Sequence, residues 1–128
     1  MLDDDDLAKL DAKGLKHEVT VDGSGWTELV IKDYPLPQGF TAQATDLLVR
    51  LPPGFPDAAP DMFWVNPEIR LAATGAYAPA SEVPEQYLGR IWQRFSRHLA
   101  PGTWRPGIDS LETWMAAIAQ LLRKDVGL

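Results

Sequence analysis

Apolar and polar residues alternate from His17 to Pro37, in HEVTVDGSGWTELVIKDYPLP. Val19 and Val21 share one face, Gly23-Ser24-Gly25 makes a turn, and Trp26, Leu29, Val30 and Ile31 form a β-rich run, which predicts a hairpin. Ala44–Leu51 predicts a third strand, stopped by Pro52-Pro53-Gly54, which cannot continue a ladder. Residues 52–60, PPGFPDAAP, read as a stiff turn pinned against the domain. Met62–Val65 is a short apolar fourth strand, and the Gly/Ala/Pro-containing connection at 71–82 is expected to be the most mobile segment. From Val83 the spacing changes. Val83, Tyr87, Ile91 and Phe95 recur every fourth residue, with Leu88 and Trp92 widening the stripe and Pro84 suited to a first turn. This predicts a helix over 83–97, broken by Ala100-Pro101-Gly102 and followed by a turn at Trp104-Arg105-Pro106-Gly107. A last helix begins with Asp109 as N-cap and Glu112 completing a capping box. Its apolar face is Leu111, Trp114, Met115, Ile118, Leu121 and Leu122, and Arg123 and Lys124 complement its C-terminal dipole. The fold class expected is α+β: a four-stranded antiparallel meander with C-terminal helices packed on one face. The domain spans 17–124, after an acidic lead-in at 1–16 with a weak stripe of Leu7, Leu10 and Leu15, and before a tail at 125–128.

Composition narrows the chemistry. With 128 residues, one domain can bury a core unaided. No cysteine is present, which removes disulfides, thiolate nucleophiles and Cys-based metal sites together. The two histidines, His17 and His98, do not suffice for a zinc site, and neither metal nor cofactor is expected. A net charge of −6 disfavours nucleic acid as a partner, although Arg90, Arg94, Arg97 and Arg105 cluster in sequence. No run approaches the roughly 20 apolar residues that cross a bilayer, and MLDDDDLAKL is acidic where an export signal is basic. A cytoplasmic protein without membrane attachment is the expectation. The Asp3–Asp6 run reads as a solvated tail. Glu82, Glu85, Asp109 and Glu112 contain no convincing catalytic pair, and Gly23-Ser24-Gly25 precedes no helix, as a phosphate loop would.

The order of these elements, with their punctuation, resembles the ubiquitin-conjugating-enzyme (UBC) superfamily over residues 17–124. Phe55-Pro56-Asp57-Ala58-Ala59-Pro60 looks like its proline loop, Trp104-Arg105-Pro106-Gly107 like its Trp-Ser-Pro turn, and 109–124 like the helix that follows. More narrowly, LPPGFPDAAPDMFWVNPEIRL and WQRFSRHLAPGTWRPGIDSLETW resemble a bacterial branch associated with ubiquitin-like modifiers, an activating enzyme and a JAB-type deconjugating peptidase. The resemblance implies those partners. The chain departs from the pattern, the connection after the fourth strand also being longer than usual. Pro67-Glu68-Ile69-Arg70-Leu71-Ala72 stands where His-Pro-Asn belongs, so the oxyanion-supporting asparagine is missing, and there is no catalytic cysteine.

In the family the nucleophile lies about eight residues before the turn tryptophan, and eight residues before Trp104 is Ser96. A serine hydroxyl can accept an activated acyl group as an oxyester if a base takes its proton. His98 is the nearby histidine, and Arg97 or Arg94 could steady an oxyanion. The bland reading stands beside this one: Ser96 as an ordinary serine at a helix end and His98 bonding a terminal carbonyl. A helix running through residue 98 would turn Ser96 and His98 about 200° apart and prevent their pairing. Trp92, Arg94, Trp104 and Arg105 are candidates for contacts with a modifier or partner. For Trp92 burial is the competing reading, and Trp104 doubles as a cleft wall. Trp26, Trp64 and Trp114 read as core aromatics. Three functions follow: a transferase carrying a ubiquitin-like protein on Ser96, a non-catalytic scaffold like the cysteine-less conjugating-enzyme variants, or, more remotely, a structural interaction domain with no link to modifiers.

Overall fold

The computed structural model describes residues 2–128. The expected hairpin is formed by β1 (His17–Val21) and β2 (Thr27–Pro35), paired from His17↔Ile31 to Val21↔Thr27. Its turn is fixed by the Asp22 carboxylate, which accepts from the backbone N–H groups of Ser24 and Trp26 at 2.8 and 3.1 Å. The third strand, β3, runs Ala44–Leu51, and β4 runs Phe63–Asn66.

The segment expected to be a helix over 83–97 is instead a second hairpin, β5 (Val83–Tyr87) and β6 (Arg90–Phe95). The sheet therefore has six antiparallel strands rather than four, in the order β1-β2-β3-β4-β6-β5. A spacing of four is close to one helical turn and is also two strand periods, so the stripe fitted both. The deciding feature is the turn. Leu88 and Gly89 have φ of 56° and 72°, the left-handed pair that a two-residue hairpin turn demands. Leucine at the first of these positions hid the signal that asparagine would have carried. Pro84 is accommodated because β5 is an edge strand. Leu88→Asn is expected to stabilise the protein by about 1 kcal/mol, read as a higher urea midpoint at unchanged slope.

One face of the sheet carries the main core. Leu29, Ile31, Leu47, Val49, Phe63, Val65 and Phe95 pack with Trp114, Ile118 and Leu122 of α2 (Leu111–Asp125). Phe63 and Phe95 stack with ring centroids 4.8 Å apart. A single helix follows the sheet, not several. Its N-cap is Ser110 rather than Asp109, and the Ser110 N–H donates to Thr113 Oγ1 at 3.1 Å. The acidic lead-in supplies the other helix, α1 (Asp4–Ala12). Asp3 caps it by accepting from the Asp6 N–H at 2.8 Å, which puts the aspartates at the end of the helix where the dipole favours them. α1 adds the buried Leu10 to the core and pairs Lys9 with Glu112 at 3.1 Å.

The opposite face has a smaller layer of Val30, Leu48, Trp64 and Trp92. The Arg50 guanidinium lies 4.2 Å from the Tyr87 ring and 4.8 Å from that of Trp26, and Arg90 lies 4.5 Å from the Trp92 ring. The connection expected to be mobile is tied down at both ends by the buried Gln93 amide. Gln93 accepts from the Ile69 N–H at 2.8 Å and donates to the carbonyls of Ile69 and Ser81 at 3.0 and 2.8 Å.

Candidate functional site

β6 does not end in a helix. The Ser96 N–H donates to the Ala80 carbonyl, the Arg97 carbonyl accepts from the Met62 N–H and the Arg97 N–H turns back onto the Phe95 carbonyl, each at 3.0 Å. This non-helical path brings Ser96 and His98 to the same side, and Ser96 Oγ lies 3.4 Å from His98 Nε2. The opposition that a helix would have imposed is absent. On the other side of the imidazole, Asp61 Oδ1 lies 2.5 Å from His98 Nδ1. A carboxylate accepting at Nδ1 keeps the proton there and leaves the Nε2 lone pair to accept from Ser96. Asp61, His98 and Ser96 thus line up as acid, base and nucleophile do in a serine triad.

Asp61 was not singled out from the sequence. It precedes Met62, whose φ of 60° is left-handed and turns the chain just ahead of β4. The Phe63↔Phe95 register, extended two residues, sets 61 opposite 97 and next to 98. That signal becomes readable only when 83–95 is paired as strands.

The proline loop and the tryptophan turn wall a cleft beside Asp61 and His98; Ser96 stands next to His98 and is not part of its lining. A cleft of about 370 Å³ is lined by Ala59, Pro60, Asp61, His98, Leu99, Ala100, Pro101, Gly102 and Trp104. Trp104 Nε1 donates to the Pro56 carbonyl at 2.8 Å and its ring packs 6.3 Å from that of Phe55, so the two walls are fastened together. The turn is held from behind by the buried Asp109, which accepts from the Arg105 N–H at 2.7 Å. That backbone bond is the main cause holding the Asp109 carboxyl below the usual carboxylate range.

The remaining candidates are dispersed. Arg97 points away from Ser96 and His98. Its guanidinium lies 2.9 Å from Asp125 and donates to the Pro79 carbonyl at 2.7 Å, joining β6 to the end of α2. Burial pushes the Asp125 carboxyl up, with Arg97 pulling the other way. Arg94 pairs with Glu85 at 3.6 Å and lines a second cleft, of about 260 Å³, which shares Ala59 and Asp61 with the first. Trp92 is fully buried, with Nε1 donating to the Tyr87 carbonyl at 2.9 Å, so its ring is core and not a contact surface. The Arg105 side chain is exposed and reaches Asp109 at 3.3 Å. Arg90 pairs with Asp46 at 3.1 Å. Each arginine of the sequence cluster therefore faces its own carboxylate, and no shared basic patch forms among the four. Asn66 is also committed elsewhere, donating to the Ile91 carbonyl and accepting from Arg90, each at 2.6 Å.

Among the described residues no helix is long and apolar enough to cross a membrane. No curated protein and no solved structure matches the chain. The family described as prokaryotic E2 family E matches residues 2–125, from the acidic lead-in to the last turn of α2. The match covers the α+β fold, the proline loop, the tryptophan turn and the Asp61–His98–Ser96 line, and the chain belongs to this family of conjugating-enzyme-like proteins.

Proposed function

We propose that this conjugating-enzyme-like protein accepts an activated ubiquitin-like protein on Ser96 as an oxyester and passes it to an acceptor. The observation that carries the reading is the alignment of Asp61, His98 and Ser96 at 2.5 and 3.4 Å. A serine hydroxyl is a weak nucleophile at neutral pH and needs a positioned base. In charging, Ser96 Oγ bonds to the C-terminal carbonyl carbon of the modifier. His98 Nε2 takes the hydroxyl proton, and the activating group leaves as AMP or as the thiol of the activating enzyme. In discharge, His98 takes a proton from the attacking acceptor, and Ser96 leaves with a proton returned. Among the described residues, the backbone amides of Leu99, Ala100 and Gly102 have no backbone hydrogen-bond acceptor, and these residues line the cleft, which supports them as oxyanion donors. The partners of this reading are a ubiquitin-like protein, its activating enzyme and a JAB-type peptidase that reverses conjugation.

A second reading, a non-catalytic scaffold for the same partners, is favoured by a different observation. The side chains expected to steady an oxyanion, Arg97 and Arg94, are both engaged elsewhere, with Asp125 and Glu85. A charging reaction with activating enzyme, modifier and ATP separates the two. The expected product is a covalent adduct stable to thiols, cleaved by hydroxylamine, absent in Ser96→Ala and converted to a thiol-labile adduct in Ser96→Cys. Binding of modifier without any adduct on the wild-type chain would leave only the scaffold.

A further inference from the structure

We infer that the Asp61–His98–Ser96 site is also a hydrolase: it transfers the acyl group held on Ser96 to water. The inference rests on Ser96 acting as the nucleophile. A carrier that stores an acyl group is best served by a site without a general base beside the ester, and this site has one. The His98 and Asp61 side chains are each 55% exposed, so water has open access to the imidazole. Once Ser96 is acylated its hydroxyl no longer donates to Nε2, and a water can take that position. The Asp61 carboxylate holds the proton on Nδ1 and so keeps Nε2 basic for that water. The same imidazole that takes the Ser96 proton in the first half then takes one from water in the second.

The step balances without a further reactant. Water oxygen bonds to the ester carbonyl carbon while its proton passes to His98 Nε2. The tetrahedral intermediate then collapses, the bond from carbon to Ser96 Oγ breaks, and the proton on Nε2 returns to Oγ. The products are a free carboxylic acid and the restored serine. The substrate class is an activated ester or thioester of a small or extended acyl group, since the cleft beside His98 is lined by small residues, Ala59, Ala100 and Gly102, with prolines and one tryptophan. On this account an acceptor amine competes with water, and the chain discharges its modifier when no acceptor is present.

p-Nitrophenyl acetate, added to the intact protein, tests the inference without any partner. The expected result is a rapid release of about one p-nitrophenolate per chain, followed by steady turnover. Both phases should be lost in Ser96→Ala, and steady turnover should fall by about 10²-fold or more in His98→Ala and Asp61→Asn. Release of one equivalent with no turnover, and a stable acetyl group on Ser96 by mass spectrometry, would overturn the hydrolase and leave the nucleophile standing. Release no faster than in Ser96→Ala would overturn both.

Discussion

His98→Ala is expected to slow formation of the Ser96 adduct by about 10²–10⁴-fold, the usual contribution of a positioned general base. His98 is the group within reach of Ser96 Oγ that can accept its proton. Its removal costs little packing, because the imidazole is more than half exposed. Asp61→Asn should reproduce much of the loss with the shape of the site kept, since an amide can donate to Nδ1 and force the proton onto Nε2, the wrong tautomer for accepting from Ser96. Single-turnover charging followed by intact mass measures both variants. The pair also separates chemistry from packing: a merely structural His98 would shift the unfolding midpoint and leave the charging rate of the folded protein untouched.

The second large effect concerns stability. Trp114 is fully buried in α2, at the centre of the main core, and Trp114→Ala is expected to cost about 3–5 kcal/mol. That is a large share of the 5–15 kcal/mol that typically holds a domain together. Trp114→Phe should cost much less. The indole N–H is buried without an acceptor among the described residues, so phenylalanine removes a penalty along with the volume. Urea unfolding of the three proteins reads the difference. The functional consequence runs through α2. Its Asp125 grips Arg97, the residue between Ser96 and His98, so loosening the helix also loosens the segment that aligns them.

Parts of this arrangement are legible in the chain and parts are not, for physical reasons. β3 was readable to its ends because Pro52-Pro53-Gly54 stops a ladder wherever it occurs. The first hairpin was readable because strict alternation and a Gly-Ser-Gly turn agree. β5 and β6 were misread because the turn between them is made by a leucine held at positive φ, which local preference argues against, and because a four-residue stripe satisfies both periods. α2 was displaced by one residue at its start because Asp109 spends its carboxylate on the Arg105 N–H, leaving Ser110 to cap.

The candidate site shows the same division. Ser96 is legible by counting back from Trp104, because the spacing between that position and the tryptophan turn is local. His98 followed by proximity. Asp61 lies 37 residues from His98 and meets it only through the β4–β6 register, so no local pattern could announce it. Arg97 looked like a neighbour of the nucleophile because it is adjacent in sequence. Its side chain instead points away from Ser96 and His98 and spends its charge on Asp125. On a helix between Arg90 and Arg94, Trp92 admits both burial and a partly exposed contact surface. On a strand it turns inward, and Arg90 lies across its ring.

Ser96 as the acyl-bearing residue is open to a direct test. The most direct measurement is peptide mapping of the charged protein by fragmentation mass spectrometry, after reaction with modifier, activating enzyme and ATP. The expected result is the C-terminal acyl group of the modifier on Ser96, in an ester that hydroxylamine removes. The acyl group on a lysine as an isopeptide, with Ser96 unmodified, would contradict it.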